Sequence, residues 1–155
     1  MNLYLVQHGA AKSREEDPDR ALSKEGEVDV IRIASYVASK KLLQLRAIVH
    51  SGKTRAGQTA EILNDALKPS EGIKAVKGLN PMDDPSIWAH TVRSEEGDIM
   101  LVGHLPHLSR LTSLLLCGDT EREIIKFQNA GITCLSSNET DAWSLRWVLT
   151  PEMIV

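Results

Sequence analysis

The sequence is short of the features that announce a partner or a compartment. It contains two cysteines, Cys117 and Cys134, and neither sits in a metal-binding or CxxC spacing. No apolar segment opens the chain as a leader, so the pair read as reduced thiols in a cytoplasmic protein rather than as a disulfide. No apolar run approaches the ~20 residues needed to span a bilayer. Eighteen basic residues against 21 acidic leave a formal charge of -3, a balance that favours neither nucleic acid nor an anionic membrane. Any anion site must therefore be built locally. Aromatic side chains make up 4% of the chain, and with no long apolar surface stripe this sets a monomer as the default.

What is present is an ordinary globular composition. With 155 residues and 42% hydrophobic content, the chain is expected to form one domain over residues 1–155 that buries about two-thirds of its unfolded surface. Continuous apolar runs at Leu3–Val6, Ala47–Val49 and Ile99–Val102 have the pattern of strands covered on both faces. Helical periodicity separates them. Residues 24–40 carry Val30, Ile33, Ala34, Val37 and Ala38 on one face, after Ser23 as an N-cap and ahead of Lys40 and Lys41. Residues 53–67 repeat the pattern through Ala56, Thr59, Ala60, Leu63 and Leu67. A third helix is expected over Pro106–Cys117, with Pro106 in its first turn and Gly118 as its C-cap, and a weaker one over Ile87–Arg93. Short strands at Lys74–Val76, Ile132–Leu135 and Ser144–Leu149 complete the reading. The alternation predicts an α/β three-layer sandwich, a mostly parallel central sheet with helices on both faces and a C-terminal β-hairpin.

The three clearest strands end in LVQHG, IVHSGKTR and LVGHL. In open α/β sheets ligands bind outside the carboxyl ends of the strands, so His8, His50, Ser51, Arg55 and His104 can meet in one crevice. Two of these strands end in Val-x-His. The third leads through a polar turn into a helix, where free backbone N–H groups favour an anion and Arg55 lies in the first turn. An arginine with two histidines at such a place reads as a phosphate site. The plainer reading has Arg55 solvated and Ser51 acting only as a cap. No GxGxxG opens the first helix, which removes the main sequence support for dinucleotide binding.

These residues resemble a known family. Strand-Gln7-His8-Gly9, then SGKTRAGQT, then strand-Gly-His104-Leu-Pro are similar in order and spacing to the motifs of the histidine phosphatase superfamily, whose signature begins Arg-His-Gly. The short length, ALSKEG ahead of the first helix and GHLP ahead of the last make the chain most similar to the SixA-like phosphohistidine phosphatases. The resemblance implies that His8 is a nucleophile forming a phosphohistidine intermediate, and that Arg55 and His104 bind and stabilise the transferring phosphoryl group. It also implies that Gly9 lets the backbone turn closely at the phosphate, and that neither cofactor nor metal takes part.

Gln7 departs from the family pattern. Exchanging a charged guanidinium bond for a neutral amide costs about 1 to 2 kcal/mol, roughly fivefold to thirtyfold in rate, if nothing compensates. Three nearby cations are candidates to compensate, Lys12, Arg14 and, in first place, Arg20, whose loop lies near the phosphate in SixA-like proteins. Hydrolysis of a phosphate ester further calls for a general acid, for which Asp83 or Asp84 is in place, although the same residues serve equally as a solvated turn or a helix cap. A phosphoramidate relaxes that need, because an imidazole can depart already protonated.

Residues 56–103 leave little room for a cap domain, so an uncovered pocket is expected, suited to a phosphoprotein such as a phosphorelay domain in signal transduction. His107 is expected on the solvent face of the last helix, and His50 and His90 have weaker claims on the site. Two other functions stay open: a small-molecule phosphomonoesterase, and a phosphate- or phosphoprotein-binding module with reduced catalysis because of Gln7.

Overall fold

The computed structural model describes residues 1–154. Six strands form one sheet: β1 (Asn2–Gln7), β2 (Leu45–His50), β3 (Ile73–Ala75), β4 (Asp98–Gly103), β5 (Ile132–Ser137) and β6 (Trp143–Leu149). Their order is β3-β2-β4-β1-β5-β6. The first four are mutually parallel, whereas β5 runs antiparallel to β1 and continues as a hairpin into β6. Four helices cover the faces: α1 (Lys24–Lys40), α2 (Thr54–Leu67), α3 (Pro85–Thr91) and α4 (His107–Cys117). The α/β sandwich expected from the sequence is the observed fold.

The apolar strands alternate between two cores. Tyr4 and Val6 of β1 and Met100 and Val102 of β4 pack towards α1 and α2 beside Val30, Ile33, Ala60 and Leu63. Leu3, Leu5, Ile99 and Leu101 face the other way, towards Trp88 of α3 and Leu108 and Leu111 of α4. A strand with apolar neighbours on both faces cannot show the period of two, so these segments read as unbroken runs.

Side chains and backbone fix the helix ends. Ser23 accepts the Gly26 N–H at 3.0 Å as the N-cap of α1, Lys41 closes it in the left-handed conformation, and Gly118 does the same for α4. Pro106 is at the cap position of α4 rather than in its first turn. Helix α3 begins earlier than its apolar residues indicated, because Asp84 caps it and Pro85 opens it. Strand β3 starts one residue earlier than expected. Cys117 is exposed and Cys134 buried, and both are free thiols. No helix of the described residues is long and apolar enough to cross a membrane.

Candidate active site

Strands β1 and β4 pair so that Val6 lies opposite Val102 and Gln7 opposite Gly103. One step further, the register delivers His8 and His104 side by side. Their ring centroids are 4.9 Å apart, and the His8 N–H is anchored on the Gly103 carbonyl at 3.1 Å. The neighbouring strand β2 turns through Ser51 and Gly52 into α2, bringing Arg55 to the same end of the sheet.

His8 is 9% exposed, and the partners of both its nitrogens identify its tautomer. Nδ1 lies 2.6 Å from the Gly9 carbonyl oxygen, which can only accept, so Nδ1 carries the proton. Nε2 then offers its lone pair, and the Arg55 Nε–H donates to it at 3.2 Å. Burial, with the charges of Arg55 and Arg20 acting the same way, lowers the His8 pKa to about 4 against the Gly9 bond, which acts in the opposite direction. The imidazole is neutral at physiological pH.

His104 is held differently. It is 1% exposed, its Nε2 is 2.6 Å from Ser51 Oγ, and its Nδ1 is buried with no partner among the described residues. Burial and then the charges of His8, Arg55, Lys53 and His107 bring its pKa to about 3. Ser51 Oγ also accepts the Lys53 N–H at 3.3 Å, so Ser51 is at once a turn-forming group and the contact of His104.

Cations crowd this end of the sheet. Partial burial, followed by the charges of Arg20 and Arg14, lowers the pKa of Arg55 below its usual range. Arg20, in the left-handed conformation at φ 49°, donates from Nε to the Lys12 carbonyl at 3.1 Å and is close enough for its charge to act on both His8 and Arg55. Gln7 contributes no charge, and its Oε1 is buried without a partner among the described residues.

Several supports carried no signature in the sequence. The Gly9 N–H donates to Thr59 Oγ1 at 3.1 Å, the Leu22 N–H to Gln58 Oε1 at 2.7 Å, and Asn129 Nδ2 to the His8 carbonyl at 2.9 Å. The sequence offers Thr59 only as a polar residue on the buried face of α2. Gly9 also has a packing role that the sequence did not show: a Cβ there would meet Val30 Cγ2 at 2.8 Å and the Gly26 carbonyl at 2.9 Å, so α1 packs directly on this backbone. Gly26, in the ALSKEG segment, is the reciprocal contact, where a Cβ would fall 2.0 Å from the Ala10 carbonyl oxygen.

The acidic candidates are engaged elsewhere. Asp83 Oδ2 accepts the Asn80 N–H at 2.9 Å, and Asp84 Oδ1 caps α3 through the Ser86 N–H at 2.9 Å. Hydrogen bonds from the Ser86 backbone and side chain hold the Asp84 carboxyl below its usual range. The expectation for His107 needs correction: it is 0% exposed, not on the solvent face. It lies one helical turn before buried Leu111, which places it on the core stripe of α4. His50 is half-buried and accepts the Gly52 N–H at 3.1 Å, and His90 is exposed. Among the described residues, no group of three or more His, Cys, Asp or Glu is arranged to hold a metal ion.

Comparison with known proteins agrees with this geometry. No family model matches the chain. It is 23% identical over 156 aligned positions to phosphohistidine phosphatase SixA of Escherichia coli (strain K12), covering 97% of this chain and 94% of that protein. The solved structure of the protein histidine phosphatase SixA in complex with tungstate superposes with a TM-score of 0.85 at 21% identity, covering all of both chains. A mycobacterial glucosyl-3-phosphoglycerate phosphatase in complex with VO3 superposes with a TM-score of 0.74 at 18% identity, covering 94% of this chain and 98% of the other. Along its whole length the chain is thus similar in sequence to SixA, and it has the fold of the histidine phosphatase SixA.

Proposed function

We propose that the protein is a metal-independent phosphatase that removes phosphate from protein phosphohistidine through a phosphohistidine enzyme intermediate on His8. The observation that carries this reading is the tautomer of His8. With its proton committed to the Gly9 carbonyl and its pKa near 4, the imidazole presents a neutral Nε2 lone pair without needing a base to generate it.

In the resting site that lone pair is engaged by Arg55. An incoming phosphoryl group draws the guanidinium onto its oxygens, which frees Nε2 for in-line attack on phosphorus. The new N–P bond forms as the substrate's N–P bond breaks, and the departing imidazole nitrogen keeps the electron pair. Water then attacks the phosphoryl group on His8, inorganic phosphate leaves, and His8 regains its lone pair. Arg55 and His104 stabilise the equatorial oxygens, with Ser51 holding His104. Arg20 supplies charge in place of the missing arginine at position 7, and Gln7 and Gly9 complete the phosphate wall.

The form of the pocket supports a protein substrate. Between α2 and β4 the chain builds only β3, α3 and a single 3-10 turn, so no capping domain closes over the histidines. This favours a phosphate presented on a protein surface, such as that of a phosphorelay domain. The state of the carboxylates argues against an ester substrate, since Asp84 is held ionised as a cap and Asp83 is bonded within its own turn. A test compares phosphate release from a phosphohistidine protein and from an aryl phosphate by the protein and by His8→Ala. His8-dependent release from phosphohistidine with little from the ester is the expected result. Preferential ester hydrolysis that depends on Asp83 or Asp84 would favour the phosphomonoesterase, and phosphate binding with no turnover would favour the binding module.

A further inference from the structure

The two helix layers give the two sides of the phosphate site different surfaces. The loop between β1 and α1 and the turn between β2 and α2 lead to the helices of one face of the sheet. The turn before α3 and the residues after His104 lead to the helices of the other face. His8 and His104, at the ends of β1 and β4, lie between these two banks.

The first bank is cationic. Arg20 and Arg55 are half-buried, and Arg14 and Lys53 stand exposed outside them. The charge of Arg14 acts on Arg55, and that of Lys53 on His104. Among the described residues, ion pairs join Arg46 to Glu71 and Glu95 and Arg122 to Asp119, and none involves these four cations. The acids of the same loop serve its backbone instead. Glu16 accepts the Ser13 N–H at 3.3 Å, and Asp17 accepts those of Asp19 and Ala21 at 3.0 Å each. In a chain of net charge -3, such a gathering of unpaired like charges is relieved by an anion. Arg20 and Arg55 serve the phosphoryl group in the reaction above, which leaves Arg14 and Lys53 for further negative charge.

The second bank is apolar. Leu105, directly after His104, is 40% exposed, and Met82, in the turn before α3, is 76% exposed. A Cβ at Gly103 would lie 3.6 Å from the Leu79 carbonyl oxygen, so the segment entering that turn packs beside the end of β4. The charges of Asp83 and Asp84, next to Met82, reach His107 in the first turn of α4. A single exposed apolar side chain is ordinary, but these two border the place where the carrier of the phosphoryl group must sit.

We propose that Arg14 with Lys53, and Met82 with Leu105, form the two halves of a docking surface for the substrate protein, taking acidic side chains on one flank of its phosphohistidine and apolar ones on the other. This rests on the phosphatase reading above and narrows its substrate class. The occupant follows from the site itself. With no capping domain between α2 and β4, a phosphoryl group carried on a protein surface reaches His8 only when that surface lies over both banks. The four residues set specificity and take no part in the chemistry.

Short synthetic phosphohistidine peptides are the probes. One carries glutamates on one flank and leucines on the other, prepared in both orders; in two others serines replace the glutamates or the leucines. A small phosphoramidate reports basal turnover. Each replacement is expected to lower kcat/KM about threefold to tenfold, the range of two exposed ion pairs or of two partly buried apolar contacts. Arg14→Gln with Lys53→Gln should abolish the preference for glutamate and leave that for leucine, and Met82→Ser with Leu105→Ser should do the opposite. The surviving preference shows that each variant is folded. Added salt should weaken the glutamate preference only. Equal kcat/KM for all peptides overturns the proposal, as does either preference persisting in its own double variant. Anisotropy of labelled peptides separates the two readings. Absent turnover with both preferences intact in binding would remove the phosphatase and leave the docking surface, whereas turnover without preference would do the reverse.

Discussion

His8 and His104 end adjacent parallel strands in one register, yet the protein holds them in opposite ways. His8 has a partner for each nitrogen, with Gly9 fixing the proton on Nδ1 and Arg55 meeting Nε2. His104 has a single side-chain partner, Ser51, and a buried Nδ1 with none among the described residues. In the proposed reaction this difference fits different work for chemically identical groups. A nucleophile must keep one tautomer through the reaction, whereas a group that stabilises a dianionic phosphoryl oxygen gains by taking up a proton when the anion arrives. The ring bonded at both nitrogens suits attack, and the ring bonded at one nitrogen suits charge.

The largest effect that tests this division is loss of the His8 ring. His8→Ala should reduce phosphohistidine turnover by about 10⁴ or more, since it removes the nitrogen that accepts the phosphoryl group in the proposed reaction, and steady-state phosphate release reads this directly. Arg55→Ala should lower turnover by about 10²- to 10³-fold, as expected for removal of a preorganised donor, chiefly in kcat. Ser51→Ala removes the His104 contact together with the longer turn bond from the Lys53 N–H, and should cost less than about tenfold, near the value of one neutral hydrogen bond. If Ser51→Ala were as damaging as His8→Ala, the division of roles would fail.

Proton uptake sharpens the same comparison. Both rings have folded-state pKa values below the ordinary 6.5, about 4 for His8 and about 3 for His104, so the unfolded chain binds more protons than the native one at acid pH. Stability should be level above about pH 6.5 and fall as the pH drops from there towards 4 and 3, measured by denaturant midpoints across pH. Saturating phosphate should raise the His104 pKa while leaving His8 a neutral Nδ1–H tautomer, as read from imidazole nitrogen shifts. A smaller effect concerns the scaffold. Thr59→Val leaves the Gly9 N–H unsatisfied and should cost about 1 to 3 kcal/mol in unfolding free energy.

The sequence disclosed the parts that local pattern encodes. Strands buried on both faces read as apolar runs, Ser23 and Gly118 marked helix ends, and the repeated Val-x-His at two strand ends pointed to His8 and His104 meeting. What stayed hidden depends on contacts between distant segments. Thr59, Gln58 and Asn129 each satisfy a backbone group far away in the chain, and nothing in their immediate neighbours distinguishes them from ordinary polar residues. Gly26 owes its identity to Ala10 on another segment. His107 was legible, since it falls on the Leu111 stripe, but its polar side chain suggested solvent. The proposed docking surface joins residues from four segments and had no linear signature.

The central claim is that His8 carries the phosphoryl group covalently through Nε2. The most direct measurement is a rapid alkaline quench of the protein during turnover of a phosphoramidate, followed by mass spectrometric localisation of the acid-labile phosphoryl group. The account predicts one phosphoryl group on His8 at Nε2 and none in His8→Ala. Turnover with an unlabelled protein, or a label on His104 instead, would contradict it.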